Sequence, residues 1–488
     1  MINTRHPRQA RLCASAPLLI TCLLLGALQG CSLAPLYQRP PAPVPNSYPA
    51  ADAAAGDSAS ASDTGWRDYF SDPRLQQLIA AALDNNRDLR TAALRIEEAR
   101  FQYNIVRADS LPNLGASASV ARQRIPAYLS PTGKSLVSDA YNVGVNLSSF
   151  ELDFFGRVKN LSQAALDLYL ATDEALQAAQ ISLVAEVAKA YFTERAFAEQ
   201  YALAQQTLTG RDKTYQLTRQ RLEVGAASRL DLALNATLLE TARVAKLTLA
   251  RQREQAHNAL NLLVGQSSAL NPASSPAAPL SASASSDDAA PDAIRSVPAG
   301  LPSALLLHRP DIRAAELRLK AANANIGAAR AAFFPRISLT AAFGTSSNAF
   351  EGLFERGSSL WSFTPQLALP IFDAGRNRAN LNLSEVRKNL AVADYEKTIQ
   401  IAFREVADGL AARTYLGDQV TAQHAVQQAQ AERLKLLQLR FDNGVASTLD
   451  VLDAERELFS AEQALVQARL LRTSSEIDLY RALGGGLK

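Results

Sequence analysis

The chain is short of the residues on which most enzyme chemistry depends. Its 488 residues hold one methionine, the initiator, four histidines and three cysteines. His6, His257, His308 and His424 are scattered, and no set of Cys, His and carboxylate has metal-ligand spacing. No glycine-rich phosphate loop and no nucleophile elbow occurs. Neither an enzyme nor a resident metal or cofactor is expected. Aromatics are sparse at 7 %, while alanine and leucine abound, which suits long, closely packed helices. Basic excess is also missing once the N-terminal leader is set aside. Without Arg5, Arg8 and Arg11, basic and acidic residues balance at 47 each, so nucleic acid is not an expected partner. Beyond Cys31 there is no apolar run of about 18 residues, and the mature chain cannot cross a bilayer as a helix. If it crosses one, it does so as a closed β-barrel, because backbone groups in lipid need partners.

What is present begins with the leader. Residues 1–30 read as a secretory signal: three arginines, then an apolar stretch from Ala14 to Leu28. Cys13 and Cys22 fall inside it, so Cys31 is the one cysteine left and no internal disulfide is possible. The stretch closes on Leu28-Gln29-Gly30-Cys31, which resembles the bacterial lipobox, although Gln29 departs from the small residue usual there. That resemblance implies a covalent lipid on Cys31, and Ser32 resembles the pattern for sorting to the outer membrane. Residues 31–65, with Pro35, Pro40, Pro41, Pro43 and Pro45, read as an extended tether.

The body is duplicated. Residues 221–231 read R-L-E-V-G-A-A-S-R-L-D and residues 440–450 read R-F-D-N-G-V-A-S-T-L-D, identical at six of eleven positions at an offset of 219. The same offset pairs Gly156-Arg157 with Gly375-Arg376 and Gly265 with Gly484. Upstream the offset becomes 223, pairing Leu89-Arg90 with Ile312-Arg313 and Leu111-Pro112 with Phe334-Pro335. One copy spans 66–265 and the other 301–485, joined by a Ser, Ala, Pro and Asp-rich linker over 266–300.

Each copy predicts a leading helix (73–109 and 302–332), two strands and two long helices. The strands are expected over 113–123, 140–150, 336–345 and 360–370. Tyr141, Val143, Val145 and Leu147 alternate with small or polar residues, as do Ile337, Leu339, Ala341 and Phe343, and Trp361, Phe363 and Leu367. One apolar and one small-polar side is what a barrel between lipid and a wet lumen requires, though a soluble sheet over a core alternates equally well. At offset 219 the apolar side of the second strand falls on the polar side of the fourth. A bulge or a one-residue misalignment would restore the parity. Four strands are too few to close a barrel, which points to an oligomer. The helices are expected over 157–223, 228–263, 376–442 and 447–482. Two of them run about 100 Å without proline. Ile399, Phe403, Val406 and Leu410 form a packing seam of coiled-coil type.

Several segments together resemble the outer membrane efflux protein family of TolC/OprM type, in its lipid-anchored NodT-like branch. They are Trp66-Arg67-Asp68-Tyr69-Phe70 with Asp72-Pro73; Glu151-Leu152-Asp153-Phe154-Phe155-Gly156-Arg157; His308-Arg309-Pro310-Asp311-Ile312; and Trp361-Ser362-Phe363-Thr364-Pro365 with Leu369-Pro370-Ile371-Phe372-Asp373-Ala374-Gly375-Arg376. The resemblance implies a mainly α chain with a membrane β-barrel. Three copies would form a homotrimer with a twelve-stranded β-barrel in outer-membrane lipid and a periplasmic α-barrel. It implies a duct for drugs or other small toxic compounds, served by a periplasmic adaptor and an inner-membrane pump of the RND type. A secretion duct for an ABC exporter, and a coiled-coil lipoprotein without a pore, are the alternatives.

Two sets of residues are the candidates for function. Gly225 and Gly444 suit the reversal between long helices, with Ser228 and Ser447 as caps of the returning ones. The resemblance adds that these turns, with Ala226, Ala227, Val445 and Ala446, contact the adaptor. Asp450 and Asp453 lie three apart on one helix and can share a face. With Leu449 they match the family's periplasmic constriction, where crowded carboxylates repel, bind cations and tend to raise one another's pKa. In the first copy Asp231 matches Asp450, but Leu234 stands where the second copy has Asp453.

Overall fold

The computed structural model describes residues 32–45, 48, 64–131, 133–265 and 308–485. The leader, Cys31, the 266–300 linker and much of the tether lie outside the described residues. In order, the first copy contains α1 (Trp66–Tyr69), α2 (Pro73–Asn85), α3 (Arg87–Ala108), β1 (Leu114–Ile125), β2 (Leu136–Leu152), α4 (Arg157–Glu223) and α5 (Arg229–Val264). The second contains α6 (Pro310–Ala331), β3 (Arg336–Ser347), β4 (Ser359–Ala368), α7 (Arg376–Asp442) and α8 (Thr448–Ala482). Among the described residues no helix is long and apolar enough to cross a membrane. The chain divides into two compact units. One holds the described residues up to 40 with 96–172 and 315–395; the other holds the described residues among 41–95, 173–314 and 396–485.

The helical unit is held by small residues and a few aromatic anchors. Ile399, Ala402, Val406 and Leu410 of α7 are buried, while Phe403 is half-buried and stacks on Tyr48 at 5.0 Å. Val184, Val187, Ala188 and Tyr191 of α4 are buried likewise. Trp66, Tyr69 and Phe70 form an aromatic plug. Tyr69 stacks on Tyr480 at 3.9 Å and its hydroxyl donates to the Glu476 carbonyl. Asp72 caps α2 and accepts further bonds from Tyr191 (2.7 Å) and Arg195 (3.1 Å). Arg309, nearly fully buried, is satisfied by Asp311, by Glu405 at 2.8 Å and by the Ala482 carbonyl. The family-like motifs at 66–73 and 308–312 are thus packing and capping devices. The leading helix expected over 73–109 is broken at Asn86, whose backbone is extended. Its side chain donates to the Leu263 carbonyl and accepts from the Leu89 amide, capping α3.

The other unit contains a four-stranded antiparallel sheet in the order β1-β2-β3-β4. β2 begins at Leu136, ahead of the alternation at Tyr141, because main-chain pairing with β1 continues to Ile125. Opposed residues share a face in such a ladder. One face carries Leu114, Ala118 and Val120; Tyr141, Val143, Val145 and Leu147; Leu339 and Phe343; and Trp361, Phe363 and Leu367. The other carries mostly serine, threonine, asparagine, glycine and alanine with Gln123 and Gln366, and Ile125, Leu136 and Leu360 only near the end remote from α4. The parity conflict is resolved by a β-bulge. Leu147 pairs with Ala341 and Phe150 with Leu339, so Ser148 and Ser149 together oppose Thr340. Ser149 has a positive φ of 49°. The extra residue flips the alternation and returns Phe150 and Leu152 to the apolar face. At the helix end of the sheet, Glu151 on the polar face pairs with Arg157 (2.7 Å) and Arg336 (2.6 Å).

The segment after Cys31 is docked on α6 and on the first turn of α4 over its first residues. The Ser32 hydroxyl donates to Asn160 at 2.7 Å, Asn323 donates to the Pro35 carbonyl at 2.7 Å, and Arg330 reaches the Leu33 carbonyl at 3.4 Å. Tyr37 donates to Glu316 at 3.1 Å, and Arg39 forks onto both carboxylate oxygens at 3.1 and 2.7 Å. Gly327 admits this segment: a Cβ there would lie 2.7 Å from the Ala34 nitrogen. Burial alone would raise the Glu316 carboxyl, but Arg39 and Lys320 hold it below its ordinary range. Because the folded value is depressed, this docking is complete at neutral pH. It is lost as pH falls from the ordinary glutamate range through the lowered folded value. Glu316→Ala is expected to weaken docking by about 1–2 kcal/mol. Chymotryptic cleavage at Tyr37, followed by mass spectrometry, should then accelerate roughly tenfold; an unchanged rate would show that the segment is held elsewhere.

Candidate functional site

Both reversals between long helices are built to the same local plan. After α4, Gly225 takes a φ of 76°, its amide donates to the Leu222 carbonyl at 3.0 Å and the Ala226 amide donates to Arg221 at 2.7 Å. After α7, Gly444 takes a φ of 73°, its amide donates to Phe441 at 2.9 Å and the Val445 amide donates to Arg440 at 2.8 Å. This left-handed closure satisfies the last helical carbonyls, and it is the backbone angle that calls for glycine. A Cβ at either position would meet nothing within 4 Å. The returning helices start with matching capping boxes. Ser228 accepts from the Asp231 amide and Asp231 accepts from the Ser228 amide, each at 3.0 Å; Ser447 and Asp450 do the same at 3.2 and 2.9 Å.

The turn residues Gly225, Ala226, Ala227 and Ser228, and Gly444, Val445, Ala446 and Ser447, therefore sit at two helix tips, with Ala227 and Ala446 half-buried. Each tip also shows a pair of well exposed aliphatic side chains, Val224 (79 %) with Leu230 (78 %), and Val445 (67 %) with Leu449 (63 %). Sequence reasoning missed Val224 and Leu230. Their signal is an apolar residue on each side of a glycine turn that has no core to face.

The two aspartates of the candidate gate meet different partners. Asp450 is fully exposed, yet its carboxyl is held below the ordinary range, first by the Ser447 hydroxyl at 2.7 Å and then by the Ser447 amide. Asp231 is held low by Ser228 in the same way. An aspartate at this position of both copies is what the helix start requires, whatever else it does. Asp453 lies between Arg433 of α7 at 3.3 Å and Arg456 of its own helix at 2.6 Å. Within one chain, then, Asp450 is not raised by a neighbouring carboxylate but lowered by its cap. Arg433, Asp453 and Arg456 are replaced at offset 219 by Thr214, Leu234 and Thr237. The ionic set belongs to the second copy alone. Leu449, Asp450, Asp453, Arg433, Arg440 and Val445 line one open groove of about 1170 Å³ between the end of α7 and the start of α8. Arg433 and Arg456 were absent from the candidates, although their lack of counterparts in the first copy marks them. Among the described residues no group of three or more His, Cys, Asp or Glu side chains is placed to hold a metal ion.

Comparison with known proteins places this architecture. The sequence profile described as "Outer membrane efflux protein" matches residues 78–266 and 301–485. The chain is 49% identical over 469 residues to the outer membrane protein OprJ of Pseudomonas aeruginosa, covering 96% of this chain and 95% of that protein. It is 47% identical over 468 residues to the toluene efflux pump outer membrane protein TtgF of Pseudomonas putida, covering 94% and 95%. Its fold matches the crystal structure of the open state of the MtrE outer membrane channel of Neisseria gonorrhoeae with a TM-score of 0.83 and 44% identity, over 94% of this chain and 99% of that one. With a profile covering both copies and relatives near half identity over almost the whole length, the chain belongs to the outer membrane efflux protein family.

Proposed function

We propose that three copies of this outer-membrane efflux channel chain close one barrel, β4 of each pairing with β1 of the next, and conduct small toxic compounds outward without converting them. The observation that carries this reading is the sheet. It has one apolar face, one small-polar face, and two edge strands, β1 and β4, each paired on one side within the chain. Open edges are not stable in hydrocarbon. Four strands fall short of the eight of the smallest barrels, so closure needs more than one copy. Three copies, as the family resemblance implies, give twelve. Lipid on Cys31 would enter the membrane beside the barrel, since Ser32 is docked on Asn160 in the first turn of α4, just after β2.

The helix tips are the docking surface for a periplasmic adaptor linked to an RND pump. Their exposed aliphatic pairs are the contact groups, and the capped, glycine-closed turns keep them rigid. Leu449, Asp450 and Asp453 form the periplasmic gate. Asp450 serves it as a fixed charge on a cap, and Asp453 as the residue that its two arginines hold aside. In a three-fold ring the carboxylates repel and recruit cations, and the Arg433–Asp453 pair restrains α8 against α7.

Three experiments test these roles. The first replaces Ser119 of β1 by cysteine and combines it in turn with cysteines at Ser362, Thr364 and Gln366 of β4. Oxidation is expected to give covalent trimers for at least one pair; monomers throughout, from a preparation that also fails to conduct, would sink the barrel reading. The second combines Asp450→Gln, which preserves the capping box, with Asp453→Asn. It is expected to raise single-channel conductance in planar bilayers and to weaken cation block; unaltered block removes both residues from the gate. Because the Asp450 carboxyl is held low, its share of the block should persist at pH 5 and vanish only in stronger acid. The third is Cys31→Ser, which should abolish palmitate labelling while leaving chymotryptic protection of Tyr37 intact.

A further inference from the structure

The apolar face of the sheet changes character at one end. After Leu114, Ala116, Ala118 and Val120, the next side chains of β1 on that face are Arg122 and Arg124. They lie opposite Asp139 and Val137 of β2. Every other residue of the face is uncharged, from Tyr141 to Leu152 on β2, Ile337 to Thr345 on β3 and Trp361 to Leu367 on β4. The arginines therefore occupy only the end of the sheet remote from α3 and α4, where β1 runs into the loop toward β2.

Height along the barrel wall identifies their surroundings. At about 3.4 Å per residue and a tilt near 40°, Arg122 stands roughly 21 Å above Leu114 and Arg124 roughly 26 Å. An outward apolar band is about 25 Å tall, so with Leu114 near or above its inner edge the two guanidinium groups fall at its outer rim or just beyond it. An aromatic pair marks the same level. Tyr141, one rung below Asp139 on this face, meets Phe350 edge-on at 6.0 Å. Asp139 engages Arg122 through Nε at 3.4 Å, which leaves the terminal fork of Arg122 open. Arg124 has no hydrogen-bond or ion-pair partner among the described residues. A guanidinium fork matches two phosphate oxygens. A cation on a lipid-facing wall is tolerated at the rim and not at the middle.

We propose that Arg122 and Arg124 form a binding site on the outer wall for the phosphate of an anionic lipid in the outward leaflet, with Asp139 orienting Arg122. The site rests on the barrel reading above and adds to it a chemically selective grip on one leaflet. Each subunit supplies one such site next to its β1 edge, where the neighbouring subunit's β4 would lie. A lipid held there would bridge the seam between copies.

The test uses full-length acylated protein in phosphatidylcholine nanodiscs containing either diphosphorylated lipid A or its dephosphorylated form. Lipid retained after exchange against neutral lipid is measured by mass spectrometry. The unaltered protein is expected to retain the phosphorylated lipid selectively, with inorganic phosphate failing to compete. Arg122→Gln and Arg124→Gln are each expected to lower retention roughly fivefold, the effect of one basic residue at an anionic surface. Arg356→Gln, in the loop between β3 and β4, should leave retention unchanged. Equal retention of the two lipids by the unaltered protein, or selective retention that persists undiminished in the double variant, overturns the proposal. Conductance of the same preparation separates the two readings: a conducting channel blind to lipid phosphate refutes the site alone, whereas absence of both conductance and trimers refutes the barrel beneath it.

Discussion

A β-strand surrounded by hydrocarbon has no water to satisfy its amides and carbonyls, and that requirement governs how this chain is put together. The hairpin of the first copy and that of the second meet through β2 and β3, which settles the inner rows of hydrogen bonds within one chain. The outer rows, on β1 and β4, are left for another copy. Side chains follow the same demand. The apolar face runs across all four strands in register, and a single bulged residue in β2 keeps that face continuous where the two copies join.

Away from the strands the governing quantity is the closeness of helix packing. Alanine at position after position along α4, α6 and α8 lets neighbours approach, and a few large groups lock the arrangement: Tyr69 on Tyr480, and buried Arg309 with its carboxylates and carbonyl. Where such helices end, their last carbonyls and first amides need partners of their own. The glycine closures at 225 and 444 and the serine–aspartate boxes after them supply those partners locally. A tip that needs nothing from the rest of the fold is free to present Val224, Leu230, Val445 and Leu449 outward.

Duplication supplied two equivalent frames, and the copies then diverged in charge. The first copy is neutral at Thr214, Leu234 and Thr237, where the second carries Arg433, Asp453 and Arg456. α6 carries Glu316, Asn323 and Gly327, which receive the segment after Cys31, and their counterparts at offset 223 in α3 are Ala93, Arg100 and Asn104. These differences turn two similar halves into a chain with one ionic turn and one docked N-terminal segment.

The sequence by itself determined whatever depends on local periodicity and composition. Two-residue alternation at 141–147 and 337–343, proline-free runs of helical character and glycine turns such as those at Gly225 and Gly444 are near-neighbour properties, and near neighbours are adjacent in sequence. Tertiary structure alone decided matters that turn on distant partners. The bulge at Ser148–Ser149 shows only when β2 is laid against β3. The break at Asn86 depends on the Leu263 carbonyl, some 177 residues away. Asp450 and Asp453 look alike in sequence, three residues apart on one helix. Folding gives the first a serine cap and the second an arginine from the preceding helix, because a side chain's role is set by what space, and not sequence, puts beside it.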